Sequence, residues 1–267
     1  MVHERRIGTF PLLKLTALVV GMVLASVAMA GAQGSAGTSG GREPRFLVDV
    51  PTAGMLSAGT YALDIDFFQS GGLLAGFSAG VFNRVSIGIS YGGSGLIGSS
   101  DAIMNPVPGA FIKVRIVEEG VGLPAIALGF DSQGREGYVK PLDRYKVKSP
   151  GFYIVGSKNY ALAGYFSVHG GVNYSLERGD NDKDMNAFVG VEKTVGPTIS
   201  LVLEYNRGIN DDGRMAVARG RGYLNGGVRW SIGGGLTLGV DLKDLLENGG
   251  DISVGNRTVR IEYLASF

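Results

Sequence analysis

Apolar and polar residues alternate along the last ten residues of the chain. Val259, Ile261, Tyr263, Ala265 and Phe267 occupy every second position, and the residues between them are mostly polar, with charges of both signs. Successive side chains of a β-strand point to opposite faces, so a period of two predicts a strand with one apolar and one polar face. The apolar face of this strand ends in an aromatic residue.

The same alternation recurs from Gly59 to the end of the chain and predicts twelve strands. Gly, Pro, Asn and Asp residues separate them, as they do at turns. The segment 152–158 is apolar on both faces, so the direction of its side chains stays open. The predicted strands cover residues 60–67, 73–81, 85–91, 110–116, 126–131, 152–158, 166–174, 187–192, 199–206, 224–231, 236–243 and 258–267.

Short and long connections alternate between these strands. The short ones are 82–84, 118–122, 159–164, 196–197 and 233–235. The long ones are 92–108, 132–150, 176–185, 207–221 and 244–257. The first hairpin, 69–71, breaks the pattern because it is short where a long loop is due. Outer-membrane barrels have short periplasmic turns and longer external loops, so the alternation favours such a barrel.

A soluble sandwich or a lipocalin-like barrel would also alternate, but it would bury its apolar face. In this chain the polar face is rich in Gly and Ser and carries isolated charges, which suits the interior of a barrel. Aromatic residues also lie near the strand ends, as in the girdles at a lipid interface. These are Tyr61, Phe67, Tyr91, Tyr174, Tyr205, Trp230 and Phe267.

The pattern therefore predicts an all-β fold: a single up-and-down antiparallel transmembrane β-barrel of about twelve strands, with ten or fourteen as alternatives. The chain has no Cys, which excludes a disulfide framework, a thiolate metal site and a lipid-anchored cysteine. Its net charge of +1 does not favour a nucleic-acid partner.

The amino-terminal residues resemble a secretory signal peptide. Basic residues come first, an apolar run follows over 15–27, and Ala28 and Ala30 provide small residues at a cleavage site. The alternative is a membrane anchor, but the run falls short of the roughly 20 residues that span a bilayer. We expect a cleaved signal peptide over 1–30, a flexible periplasmic lead and short entry segment over 31–58, and the barrel over 59–267. The lead could also lie partly in the bore.

Twelve residues with charged or titratable side chains lie on the predicted inner face. They are Asp64, Asp66, Lys113, Arg115, Asp131, His169, Glu192, Glu204, Arg229, Asp241, Arg260 and Glu262. Both signs are interspersed, so one interpretation is a network of ion pairs that narrows the bore. The other is a path for a polar solute. Twelve strands lie between small filled barrels and wide channels, so strand number leaves both open.

Catalysis and metal binding find little support in the sequence. Ser167 lies two residues from His169 on the same face, but no orienting acid is evident, so a lipid hydrolase is a remote alternative. Residues 180–184 resemble the start of a calcium loop, but Met185 and Val191 occupy the positions of its Gly and Glu. We expect no enzyme activity, no cofactor and no metal.

Three stretches together resemble a known family. Residues 50–56 read VPTAGML and are followed by Gly59 and Thr60; residues 111–119 precede LPAIALG at 123–129; residues 152–158 read FYIVGSK. In this order they resemble YjbH-type outer-membrane proteins. The resemblance covers roughly 50–172 and implies a β-barrel linked to the export of exopolysaccharide or capsule.

The combined expectation is a barrel in the bacterial outer membrane, with both termini periplasmic, that assists passage of a polar solute or exopolysaccharide. Lys113, Arg115, Glu204 and Arg229 are the main candidates for that role. The expected partners are outer-membrane lipid, polysaccharide export components and the barrel-assembly machinery, for which Tyr263 and Phe267 would be the signal. The alternative is a structural or adhesive barrel with a narrow interior. It would act through the long loops, chiefly 101–108 and 207–221, the latter containing four arginines.

Overall fold

The computed structural model describes residues 34–250 and 256–267. This part of the chain contains fifteen strands and two short 3₁₀ helices. In chain order the strands are β1 (Thr60–Phe68), β2 (Gly72–Phe82), β3 (Val85–Ser94), β4 (Ile103–Met104), β5 (Gly109–Val117), β6 (Ala125–Asp131), β7 (Arg135–Val139), β8 (Arg144–Val147), β9 (Gly151–Ala161), β10 (Tyr165–Tyr174), β11 (Asn186–Val195), β12 (Ile199–Asn206), β13 (Tyr223–Gly233), β14 (Leu236–Lys243) and β15 (Asn256–Ser266). The helices cover Lys140–Leu142 and Ile209–Asp211. No helix in this part of the chain has the length and apolar character needed to cross a bilayer.

Twelve of the strands form one closed, antiparallel barrel, and the predicted fold is confirmed. Each barrel strand pairs with its neighbours along the chain, and β1 and β15 close the ring. The closing register runs from Thr60 opposite Ser266 to Phe67 opposite Val259. The short strand β4 pairs only with the end of β3, while β7 and β8 form a separate two-stranded sheet that is not part of the wall.

The two faces of the wall have opposite chemistry. Outward positions hold large apolar side chains that are strongly exposed, such as Ile89 at 64% and Trp230 at 52%. Inward positions hold buried polar and charged side chains. A continuous apolar belt of this kind is costly in water and typical of a wall that faces lipid.

The strand that the sequence left open, β9, has an inner face that is partly apolar. Phe152 and Ile154 are exposed on the outside, while Tyr153 and Val155 are buried on the inside. Their neighbours on the inside are apolar residues of the amino-terminal segment, which explains why both faces of β9 are apolar.

The long loops gather at one end of the barrel. Residues 132–150, which we call the lid, contain the β7–β8 hairpin and the first 3₁₀ helix. The short first hairpin is covered by the next long loop, because the N–H of Gly95 donates to Ser70 O at 2.9 Å and that of Leu96 donates to Gly71 O at 2.9 Å. At the other end the N–H of Phe267 donates to Gly59 O at 2.9 Å.

The described part of the amino-terminal segment lies inside the barrel. We expected residues 31–58 to be a flexible periplasmic lead, with a position partly in the bore as the alternative. Within 34–58 many side chains are fully buried, and inward-facing wall residues bind the backbone, so the described part lies in the bore. We call residues 43–56 the plug. It is a hairpin whose arms are joined by the N–H of Leu47 to Val50 O at 3.1 Å and the N–H of Thr52 to Arg45 O at 3.2 Å. The predicted signal peptide, 1–30, lies outside the described residues.

Candidate functional site: the plugged lumen

The residues expected to line the lumen all belong to the barrel wall, and most contact the amino-terminal segment. Ten of the twelve are buried, and Asp64 and Glu262 are partly buried. Those with a direct contact to residues 34–58 are Asp64, Lys113, Arg115, Glu192, Glu204, Arg229, Arg260 and Glu262. Asp66 and Asp241 pair with wall arginines, Asp131 accepts the N–H of Gln133 at 2.9 Å, and His169 acts through a serine.

Lys113 is the main cationic contact of the plug. Its Nζ donates to the carbonyls of Arg45 at 3.1 Å, Thr52 at 2.9 Å and Gly54 at 3.0 Å. The side chain is completely buried. A lysine ammonium has three donors, so the plug backbone satisfies each of them.

Glu204 is the matching anionic contact at the tip of the plug. Its carboxylate accepts the consecutive N–H groups of Val48 at 2.9 Å, Asp49 at 2.9 Å and Val50 at 3.0 Å, as well as Asn225 Nδ2 at 2.8 Å. Successive N–H groups that converge in this way form an anion-binding nest. The plug supplies the nest, and the wall supplies the anion.

Two arginines connect plug carbonyls to wall carboxylates. Arg229 pairs with Asp241 at 2.5 Å and donates to Leu47 O at 2.6 Å. Arg260 pairs with Asp66 at 2.7 Å and donates to Val48 O at 2.9 Å. Charge-assisted hydrogen bonds are the stronger kind, so both contacts favour an inserted plug.

Side chains of the plug form ion pairs with the wall as well. Arg45 pairs with Asp64 at 2.6 Å and with Glu262 at 3.0 Å. Near the short-turn end, Arg115 pairs with Glu43 and donates to Ala53 O at 2.6 Å. The plug is therefore bound through both its backbone and its charges.

An apolar patch of the wall receives the plug's apolar residues. A Cβ added to Gly190, on the inner face of β11, would lie 2.3 Å from Leu47 Cδ1, so only glycine leaves room for this leucine. The patch joins Leu47, Val48, Val50 and Ala53 of the plug to Ala125, Ala127, Tyr153, Val155, Phe188 and Val202 of the wall.

The lid enters the lumen from the opposite end and meets the tip of the plug. Lys243 pairs with Asp49 of the plug at 2.8 Å and with Glu136 of the lid at 2.7 Å. Arg135 of the lid lies over the ring of Phe46, 5.3 Å from its centroid. The plug and the lid are thus joined inside the barrel.

A buried ion-pair cluster holds the lid to the neighbouring loops. Arg144 is completely buried and pairs with Asp180 and Asp211, both at 2.5 Å. Lys148 pairs with Asp180 at 2.8 Å. Burial by itself raises the pKa of the Asp180 carboxyl, but the hydrogen bond from Lys148 and the nearby positive charges lower it below its usual range. Burial raises the pKa of the Glu177 carboxyl in the same loop.

This cluster also gives the carboxylates of 180–184 a role that the calcium-loop pattern did not suggest. Asp180 is used in ion pairs, and Asp182 accepts the N–H of Asp212 at 3.2 Å. Within the described ranges, no group of three or more His, Cys, Asp or Glu side chains is arranged to hold a metal ion.

His169 has a different partner from the one its sequence position suggested. Its Nδ1 is 2.7 Å from Ser157 Oγ, whereas Ser167 Oγ donates to Asn159 Oδ1 at 2.5 Å. Ser157 Oγ also accepts the N–H of Ala53 at 2.9 Å. The pairing of Ser167 with His169 is therefore wrong, and the serine that does bind His169 holds the plug.

Free space remains beside the plug and at the short-turn end. A cavity of about 80 Å³ lies between Arg45 and the inner faces of β2 and β3, where Gly76, Ser78, Gly88 and Ser90 line it. A second cavity of about 350 Å³ lies around Glu43, Met55 and Arg115. Both cavities are large enough and polar enough to hold ordered water.

Sequence reasoning missed the residues that make the lumen a closed site. Arg45, Leu47 and Asp49 belong to a segment that we took for a lead, and Gly190 and Ser157 are small inward residues with no charge to mark them. The available signal was the apolar run 46–50, which a flexible, solvated lead would not need.

No family model matches the chain, and no curated protein matches it. Among solved structures, a KdgM porin is similar, with 14% identity and a TM-score of 0.46 over 78% of this chain and 99% of the porin. A NanC porin is similar with 10% identity and a TM-score of 0.44 over 78% of this chain and 99% of that porin. The translocator domain of the autotransporter NalP from Neisseria meningitidis is similar with 15% identity and a TM-score of 0.36 over 78% of this chain and 86% of that domain. Similarity this distant carries no argument about function.

Proposed function

We propose that this chain is an outer-membrane barrel that passes a polar solute, and that the plug closes its bore until it moves. Three features support an outer-membrane location with both termini periplasmic. The outer surface is an apolar belt, the long loops share one end, and Gly59 and Phe267 meet at the other.

The observation that carries the proposal is the way in which the plug is held. The two backbone hydrogen bonds of residues 43–56 given above join the plug's own arms, and the contacts to the wall come from side chains. The barrel wall closes through its own twelve strands. A segment that is not a strand of the wall can leave the bore without breaking any strand pairing.

The plug's departure would leave a polar path. The inner faces of β2 and β3 are lined mainly by Gly and Ser, and charges of both signs line much of the rest, beside the apolar patch on β6, β9, β11 and β12. Such a surface suits a hydrated solute. The resemblance of residues 50–172 to YjbH-type proteins extends the proposal to exopolysaccharide as the solute.

Single-channel recording tests this proposal on the full-length chain. A Gly190→Leu variant fills the space of Leu47 and should expel the plug, giving a larger and steadier current than wild type. The outward Gly170→Leu variant is the matched control and should behave as wild type, because the nearest neighbours of its Cβ are 3.6 Å away or more.

A cysteine pair supplies the opposite test, since the chain has no native Cys. Leu47→Cys combined with Gly190→Cys should lock the plug and abolish openings until a reductant is added. Failure of the Gly190→Leu variant to conduct, with its plug released, would overturn the proposal.

A second candidate function is adhesion through the long loops, and the exposed arginines favour it. Arg207, Arg214, Arg219 and Arg221 all lie exposed at the lid end of the barrel. A variant with all four replaced by serine should lose binding of intact cells to a polyanion-coated surface. Its conductance should not change. Retained binding would count against adhesion through this loop.

A further inference from the structure

The contacts between plug and wall resemble those between a protein and a bound peptide. The wall offers a cation to plug carbonyls at Lys113 and an anion to plug N–H groups at Glu204. Between them lies the space over Gly190 that takes one leucine-sized side chain. A surface that binds main-chain groups and one apolar side chain is a peptide-recognition surface.

The charged ends of the tip add sequence selectivity. Arg45 enters between Asp64 and Glu262, and Asp49 meets Lys243. The ring of Phe46 lies 5.9 Å from that of Phe111 on the wall. The groups that the wall recognises thus follow one another along the chain as basic, aromatic, leucine, apolar and acidic.

We infer that the lumen is a binding site for a peptide with this pattern, and that it accepts such a peptide in trans once its own plug has left. The ligand class is a short peptide of the form Arg-aromatic-Leu-apolar-Asp, bound as a hairpin tip with Glu204 in its nest of N–H groups. The inference rests on the proposed function only for its electrical readout, because binding itself does not require conduction.

Charge favours a peptide of mixed sign over a polyanion. The wall and lid residues around the plug include six cations, Lys113, Arg115, Arg135, Arg229, Lys243 and Arg260. They include eight acids, Asp64, Asp66, Asp131, Glu136, Glu192, Glu204, Asp241 and Glu262. Six positive and eight negative charges leave an emptied bore with a net charge of −2, which repels a polyanion.

The experiment compares two full-length variants that differ in one site. Leu47→Asp removes the plug's anchor and leaves the space over Gly190 intact. Gly190→Leu also releases the plug but fills that space. Trypsin reports release in both, because the bond after Arg45 is protected while that residue is buried in the lumen.

A labelled synthetic peptide of residues 43–56 is the probe, with fluorescence anisotropy and block of the current as readouts. We expect it to bind the Leu47→Asp barrel and to bind the Gly190→Leu barrel at least tenfold more weakly. A peptide of identical composition with Arg45 and Asp49 exchanged is the control ligand, and it should also lose at least tenfold.

Equal binding of the two peptides, or equal binding to the two barrels, would overturn the inference. If trypsin shows that Leu47→Asp keeps its plug, Asp49→Ala, which removes the plug's own ion pair with Lys243 and leaves the wall unchanged, is added, and retention in the combined variant would overturn it as well. Peptide binding without any current would sink the proposed function and leave this inference standing. Current without peptide binding would do the reverse.

Discussion

The plug and the lid meet inside the same lumen from opposite ends, and the balance between ion pairs and backbone contacts differs between them. The lid is fixed by ion pairs between side chains, centred on the fully buried Arg144. The plug is held largely by wall side chains that bind its backbone, as Lys113 and Glu204 do. A buried cluster with several charges breaks only at high cost, whereas contacts to backbone groups can be replaced by water or by another chain. The comparison indicates that the lid is held more firmly than the plug.

Arg144→Met should have the largest effect, because it leaves the buried Asp211 without its cation and Asp180 with Lys148 alone. We expect a loss of about 3–5 kcal/mol in the stability of the lid. Denaturant titration, with proteolysis of residues 132–150 as the probe, measures it. Arg178→Met, an exposed arginine of a nearby loop, is the control and should change stability by less than about 0.5 kcal/mol. Comparable losses of stability in the two variants would show that the Arg144 cluster does not hold the lid.

Lys113→Met should act on the plug and spare the lid. Three plug carbonyls lose their donor, and unsatisfied buried groups cost about 1–3 kcal/mol each before the plug withdraws to hydrate them. We therefore expect cleavage after Arg45 to speed up at least tenfold, with the lid as resistant as in wild type. An unchanged cleavage rate would show that Lys113 does not hold the plug.

Acid should loosen the lid through Asp180. Its pKa is lowered in the folded protein, so its ionised form contributes stability above the unfolded-state pKa of 3.8. That contribution is lost as pH falls from about this value through the folded-state pKa. Lid proteolysis with an acid-active protease should therefore increase below about pH 4, and Asp180→Asn should flatten the response. Glu177 acts in the opposite sense, because its raised pKa makes its contribution favourable at low pH. If lid proteolysis in Asp180→Asn still increases at low pH as it does in wild type, groups other than Asp180 cause the increase.

Ser157→Ala should have the smallest effect on the plug, since only one of its two hydrogen bonds, the neutral one from the N–H of Ala53, reaches the plug, and it is worth about 1 kcal/mol. Its matched control is Ser167→Ala, which removes the bond to Asn159 two residues from His169. Plug release should increase about fivefold in the first variant only. An equal response would mean that the Ser157–His169 pair has no particular role in binding Ala53.

Much of the wall was predictable because a strand's period is visible in the sequence. The alternation at 258–267 and the polar residues opposite it follow directly from a wall with one lipid face. The plug was not predictable in this way, because a hairpin held by side chains has no period of its own. Residues 46–50 showed only an apolar run, and their meaning depends on Gly190, which lies far away in the chain.

The apolar inner face of β9 is the clearest case of tertiary context overriding local pattern. Tyr153 and Val155 contact the plug rather than water, so their segment lost the alternation that marks the other strands. A sequence rule that assumes a hydrated interior fails wherever the interior holds protein.

The seam between β1 and β15 has a consequence for biogenesis. These strands stand at opposite ends of the barrel sequence, so their pairing waits until the whole barrel has been synthesised and is the slowest kind of contact to form. Residues 43–56 directly precede β1 and accompany it to that seam. In a sheet that has not yet closed, the inner-face residues Lys113 and Glu204 would be exposed to solvent. We therefore expect insertion of the plug and closure of the barrel to occur together and late in assembly. A barrel arrested before closure should let solutes cross the membrane, because its plug is not yet in place.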